Sequence, residues 1–139
     1  MGTILVATDG SAAADKAVAV AARRAQQEQA RLVIVNISEP FCPIGQSELD
    51  VGVFEDAMKK ESAAILAAAL ALAQAAGADA SAVHEVGRPA EGIIGIAKRE
   101  GAAEILVASH GRHGLARAAM GSVSSRVAEW APCTVTVVK

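Results

Sequence analysis

Aromatic side chains are nearly missing from this sequence, which has two phenylalanines, one tryptophan and no tyrosine. A core of large rings is thereby excluded. Apolar residues still make up 53% of the chain, and much of that share is alanine, which predicts closely packed helices with small side chains at their contacts. Cysteine is scarce as well. Cys42 and Cys133 show neither metal-ligand spacing nor a framework of pairs, so both are expected as reduced thiols of a cytosolic protein, with a reactive Cys42 as the alternative. An excess of one charge is also absent: 13 basic against 15 acidic residues sum to −2. No global field draws in nucleic acid, and a phosphate ligand must be held locally.

Long hydrophobic runs are missing too. The apolar stretch 63–73 falls far short of the roughly 20 residues of a membrane span. Residues 1–6 lack the basic region of a secretory signal, and Val6 stands where a myristoylation signal needs Ser or Thr. A cytoplasmic protein without membrane attachment is expected. The 139 residues suit one domain, 1–139, large enough to bury roughly two-thirds of its unfolded surface.

Several catalytic signatures do not occur. There is no G-x-x-x-x-G-K-[ST], hence no P-loop lysine or metal-binding hydroxyl. No G-x-G-x-x-G follows the first apolar run, which weakens a nicotinamide or flavin reading. Neither a nucleophile elbow nor H-E-x-x-H is found.

What is present is a regular alternation. Short β-branched runs at 3–8, 32–37, 79–86, 104–109 and 134–138 predict five strands. Between them, apolar spacing and breakers predict helices over 12–29, 54–76, 89–101 and 122–131. In the first helix Lys16, Arg23, Arg24 and Gln27 are expected to share the wet side, and in the second Met58, Ile65, Ala69 and Leu72 the buried one. Residues 38–52, with Pro40, Pro43, Gly45 and Gly52, are expected as a long loop able to cover a site. This pattern predicts an α/β fold: a single-domain, doubly wound, Rossmann-like five-stranded parallel sheet with helices on both faces. Ligands of such sheets sit beyond the carboxyl ends of the strands, where the strand order reverses.

Two strand ends therefore hold the candidates. The first ends at Asp9-Gly10-Ser11. The fourth runs into Ala108-Ser109-His110-Gly111, followed by nine residues and then Gly121-Ser122-Val123-Ser124 at a helix start. A helix N-terminus offers unpaired N–H groups and partial positive charge, Gly121 lets a ligand approach, and hydroxyls of Ser122 and Ser124 add donors. N–H groups around Gly111 can form a second anion-binding hollow. The plainer alternative is that the glycines only turn the chain and Ser122 only caps a helix. Asp9 is either a turn former or a ligand for ribose or for Mg²⁺ on phosphates. His110 either touches ligand or satisfies a backbone carbonyl. Arg112, His113 and Arg117 either neutralise outer phosphates or lie exposed.

Here the sequence resembles the universal stress proteins, whose nucleotide-binding members carry G-x-x-G, nine residues, then G-[ST]. Ala108 stands at the first glycine; the rest of the motif matches. The likeness extends to residues 4–11, to Gly87-Arg88-Pro89-Ala90-Glu91, and to Ala131-Pro132-Cys133 with its apolar strand. The resemblance implies ATP, with Mg²⁺ as a companion, at Ala7, Thr8 and Asp9 of the first strand end and at the backbone of Ile37. It further implies Ala108, His110 and Gly111 on the ribose and phosphate side, with Arg112 beyond them, and Gly121, Ser122, Val123 and Ser124 on the phosphates. Asn36, at a position often His in the family, is read as a tolerated change with little bearing on binding. The family's habit of pairing through its last strand implies a homodimer through Thr134–Val138.

An ATP site with no assigned base, no essential lysine and no firm metal cage binds well and hydrolyses slowly. The leading expectation is thus an ATP-binding stress or signalling module. A nucleotide-free dimeric scaffold and a phosphoryl- or adenylyl-transfer enzyme are the rivals.

Overall fold

The computed structural model describes residues 2–40, 48–111 and 120–139. Along the chain they form β1 (Thr3–Ala7), α1 (Ala12–Glu28), β2 (Arg31–Ser38), α2 (Glu48–Ala75), β3 (Asp79–Val86), α3 (Pro89–Glu100), β4 (Glu104–Ala108), α4 (Ser122–Trp130) and β5 (Thr134–Val138). The five strands make one sheet in the order β3-β2-β1-β4-β5, and every pair is parallel. Parallel pairing demands crossovers, and the helices supply them on both faces.

Burial on both faces explains why the central strands read as unbroken apolar runs rather than as alternation. Ile4, Val6, Leu32, Ile34 and Leu106 point to one side, where they meet Ala17, Val18, Ala21 and Ala25 of α1 and Leu66, Ala69 and Ala73 of α2. Leu5, Val33, Val35, Ile105 and Val107 point to the other, against Ala90, Ile93, Ile96 and Ala97 of α3 and Val127 of α4. Each fully buried Leu or Ile contributes about 2 kcal/mol by leaving water. Alanine on the helix faces lets the backbones sit close to the sheet.

Local signals act where the sequence puts them. Pro89 opens α3, and Gly101 ends it in the left-handed region at φ 65°. Three expectations are corrected. Helix α2 starts at Glu48, so 48–52 is not loop: Gly52 weakens a helix but does not end one, and no proline lies between Glu48 and Phe54. The buried stripe of α2 is Ser62, Leu66, Ala69 and Ala73, whereas Met58, Ile65 and Leu72 are half-buried. A stripe that begins with serine escapes a search for apolar spacing. Arg24 also leaves the wet side, because its guanidinium reaches the Glu104 carboxylate and the Thr136 hydroxyl, pinning α1 to β4 and β5.

Candidate functional site

The strand order reverses between β1 and β4, which are hydrogen-bonded neighbours with helices leaving in opposite directions. Their carboxyl ends must part there, and a crevice of about 850 Å³ opens above them.

Its first wall is the turn from β1 into α1, held by its own side chains. The Thr8 hydroxyl accepts from the Gly10 N–H at 3.1 Å, the Asp9 carboxylate accepts from the Ser11 N–H at 2.9 Å, and the Ser11 hydroxyl caps α1 by accepting from the Ala14 N–H at 3.1 Å. Gly10 is needed twice over. Its φ is +82°, and a Cβ there would lie 2.9 Å from Ile65 Cγ1 of α2.

The floor is polar and closed. Asn36 of β2, only 6% exposed, donates through Nδ2 to the Thr8 carbonyl at 2.8 Å and accepts the Ser62 hydroxyl of α2 at 2.7 Å. Ile37, next along the strand, turns its side chain towards Gly92 of α3.

The opposite wall joins the end of β4 to the start of α4. The Ser109 carbonyl accepts from the Gly121 N–H at 2.6 Å and from the Ser124 hydroxyl at 3.1 Å, so residues 108–111 and 121–124 are brought together. Ala108 has ordinary strand backbone, paired with Val138 of β5, and no positive φ is asked of that position. Gly111 and Gly121 likewise avoid positive φ. Gly111 matters for its missing side chain, because a Cβ would stand 2.5 Å from Asp9 Oδ2. His110 is half-buried with Nδ1 3.0 Å from the Ser109 hydroxyl.

Helix α4 opens with Gly121 at its N-cap, and no side chain caps it. Among the described residues no hydrogen bond takes up the N–H groups of Ser122, Val123 and Ser124. An uncapped helix start at the rim of a cleft presents several donors and a partial positive charge to an anion.

Ala7, Thr8, Asp9, Ile37, Ala108, His110, Gly111, Gly121, Ser122, Val123 and Ser124 all line this crevice. Arg112, and with it His113 and Arg117, lies outside the described residues. The candidates do not all offer what their residue types suggest. Ser124 is buried with its hydroxyl turned to Ser109, Asp9 already holds the Ser11 N–H, and the cap of α4 is Gly121 rather than Ser122. Sequence reasoning passed over Phe54, Met58, Ser62 and Ile65, which form the α2 side of the crevice; only their helical spacing around Ser62 could have signalled a common face. It also discounted Asn36, whose buried amide joins the Thr8 turn to α2. The described lining holds the carboxylates Asp9, Glu39 and Glu61 but neither lysine nor arginine. Away from the crevice, burial and the charge of Glu104 push the Cys133 thiol up from its ordinary value, which disfavours the thiolate. No helix among the described residues is long and apolar enough to cross a membrane.

Known proteins resemble the whole of this chain. The Universal stress protein in QAH/OAS sulfhydrylase 3'region of Thermus aquaticus is 36% identical over 99% of this chain and 98% of its own length. A solved universal stress protein in complex with cAMP is 30% identical, superposes with a TM-score of 0.79, and covers 99% of this chain and 97% of its own. Universal stress protein UspA from Lactobacillus plantarum, 26% identical, reaches a TM-score of 0.86 over 99% of this chain and 97% of its own. The sequence profile of the Universal stress protein family matches residues 1–139, and with the five-stranded parallel sheet and its crevice in place, the chain belongs to that family.

Proposed function

We propose that the crevice binds an adenine nucleotide, ATP with Mg²⁺ in the first instance, and that the protein acts as a nucleotide-dependent stress or signalling module. The observation that carries this reading is the uncapped start of α4 facing Asp9 across the cleft. The N–H groups of Ser122, Val123 and Ser124 would take the phosphates, Asp9 would meet a ribose hydroxyl or the metal, and the backbone of Ile37 would meet the base. Room for such a ligand exists, since small-molecule sites typically span about 300–1,000 Å³. The relative solved with cAMP supports an adenine ligand at this fold.

Binding is favoured over turnover. Fast phosphoryl transfer leans on an essential lysine, a positioned base and a firm metal cage, and the sequence assigns none of these. The test is isothermal titration of nucleotide-stripped, folded protein with ATP and Mg²⁺. Saturable heat at micromolar ATP is expected; none at high micromolar ATP rejects the reading.

A homodimer through β5 belongs to the same proposal. β5 ends the sheet order, and its TVTVV sequence puts no charge or proline on that edge, the devices by which monomers blunt an edge strand. Light scattering should give twice the monomer mass, and a monomer at high micromolar concentration would remove the dimer.

A further inference from the structure

Two buried polar side chains line the base of the crevice and are spent on each other. Ser62 is 2% exposed and Asn36 is 6% exposed. The Ser62 hydroxyl donates to Asn36 Oδ1 at 2.7 Å, and Asn36 Nδ2 donates to the Thr8 carbonyl at 2.8 Å. An asparagine amide has an acceptor end and a donor end of nearly equal shape, and its partners decide which way it points. Ser62 takes the acceptor end. Nδ2 is thereby aimed at Thr8, whose N–H is already committed to the Val35 carbonyl at 2.8 Å. Both backbone groups of Thr8 are thus held by β2, and Asp9 follows directly.

The same helix meets the same turn at a second point. Ile65, one turn along α2 from Ser62, occupies the space that a side chain on Gly10 would need. Met58, four residues before Ser62, lines the crevice with Ile65. The hydrogen-bonded chain and the Ile65 contact set the α2 wall in register with the Asp9 turn. The α4 wall is anchored separately, on the Ser109 carbonyl.

Resting on the nucleotide reading above, we infer that Ser62 and Asn36 are positioning residues that hold the Thr8–Asp9 turn in its ligand-binding form, so that α2 is coupled to the site through one buried amide. A hydrophobic residue would fill either place. It would not orient the turn.

The experiment compares the full-length protein with Ser62→Ala and with Leu66→Ala. Leu66 lies one turn beyond Ser62, is 7% exposed, and belongs to the apolar core; its truncation loosens α2 packing without touching a hydrogen bond. In ligand-free protein, amide exchange at Gly10 and Ser11 should rise at least fivefold in Ser62→Ala and stay within twofold in Leu66→Ala, although the latter melts lower. In titrations with ATP, Ser62→Ala should bind about tenfold more weakly, and Leu66→Ala within twofold of the parent. Unchanged exchange at Gly10 and Ser11 in Ser62→Ala overturns the inference, as does equal exchange in both variants or an unchanged ATP affinity in Ser62→Ala. If the parent protein fails to bind ATP, the nucleotide reading falls, and the exchange comparison alone decides whether Ser62 governs the turn.

Discussion

Helices α1 and α4 both start above the carboxyl ends of neighbouring strands, yet their first turns are finished in opposite ways. At α1 the Ser11 hydroxyl holds the Ala14 N–H and Asp15 adds negative charge to the first turn. At α4 the cap is Gly121, with no side-chain bond and no acid in the first turn. α3 lies between the two: its N-cap Arg88 makes no side-chain bond either, but Pro89 removes one donor and Glu91 adds negative charge to the first turn. Unmet N–H groups at a helix end are costly unless water or a ligand serves them. Where the protein serves its own donors, the turn is structure; where it leaves them open, as at α4, the proposed function places the phosphates.

The comparison can be broken most severely at Gly10. In Gly10→Ala the new Cβ meets both a left-handed backbone and Ile65, and we expect a loss of about 2–3 kcal/mol, read as a lower urea midpoint. Ser122→Pro attacks the other start gently. Gly121 has φ −65° and ψ 159°, the extended form a following proline wants, and proline is at home in a first helical turn. One N–H disappears while the helix remains, so ATP should bind roughly tenfold more weakly, about 1.4 kcal/mol, with the melting temperature unmoved.

Ser11→Ala should do the reverse of Ser122→Pro. Removing the α1 cap costs about 1 kcal/mol of stability, seen by thermal melting, and leaves ATP affinity within twofold. The smallest effect concerns α3. A hydrogen bond from its own backbone N–H holds the Glu91 carboxyl below its ordinary value against the opposing desolvation, with Arg126 and the charge of Arg88 assisting. The stability this supplies is present above the unfolded pKa and is lost as pH falls through the folded one. Urea midpoints of the parent and Glu91→Gln should therefore differ slightly at neutral pH and converge in acid.

Most of the fold was legible because apolar runs, Gly101 and Pro89 mark element ends through backbone chemistry that acts locally. The crevice was legible where glycines and serines stand at strand ends. Ser62 and Asn36 were not, since a polar residue on a helix or strand reads as solvent-facing until its partner, 26 residues away, is known. Arg24 was misread for a related reason: a long side chain can leave the wet face and reach back to the sheet. Asp9 allowed two readings in sequence; its bond to the Ser11 N–H makes it a turn former at the rim of the site.

The most direct measurement is an amide-resolved NMR titration of nucleotide-stripped protein with ATP and Mg²⁺. The N–H resonances of Ser122, Val123 and Ser124 should shift together and saturate, while that of Ala14, already capped by Ser11, stays in place. Saturable binding that leaves the three α4 amides unmoved would contradict the proposal that this open helix start is the phosphate site.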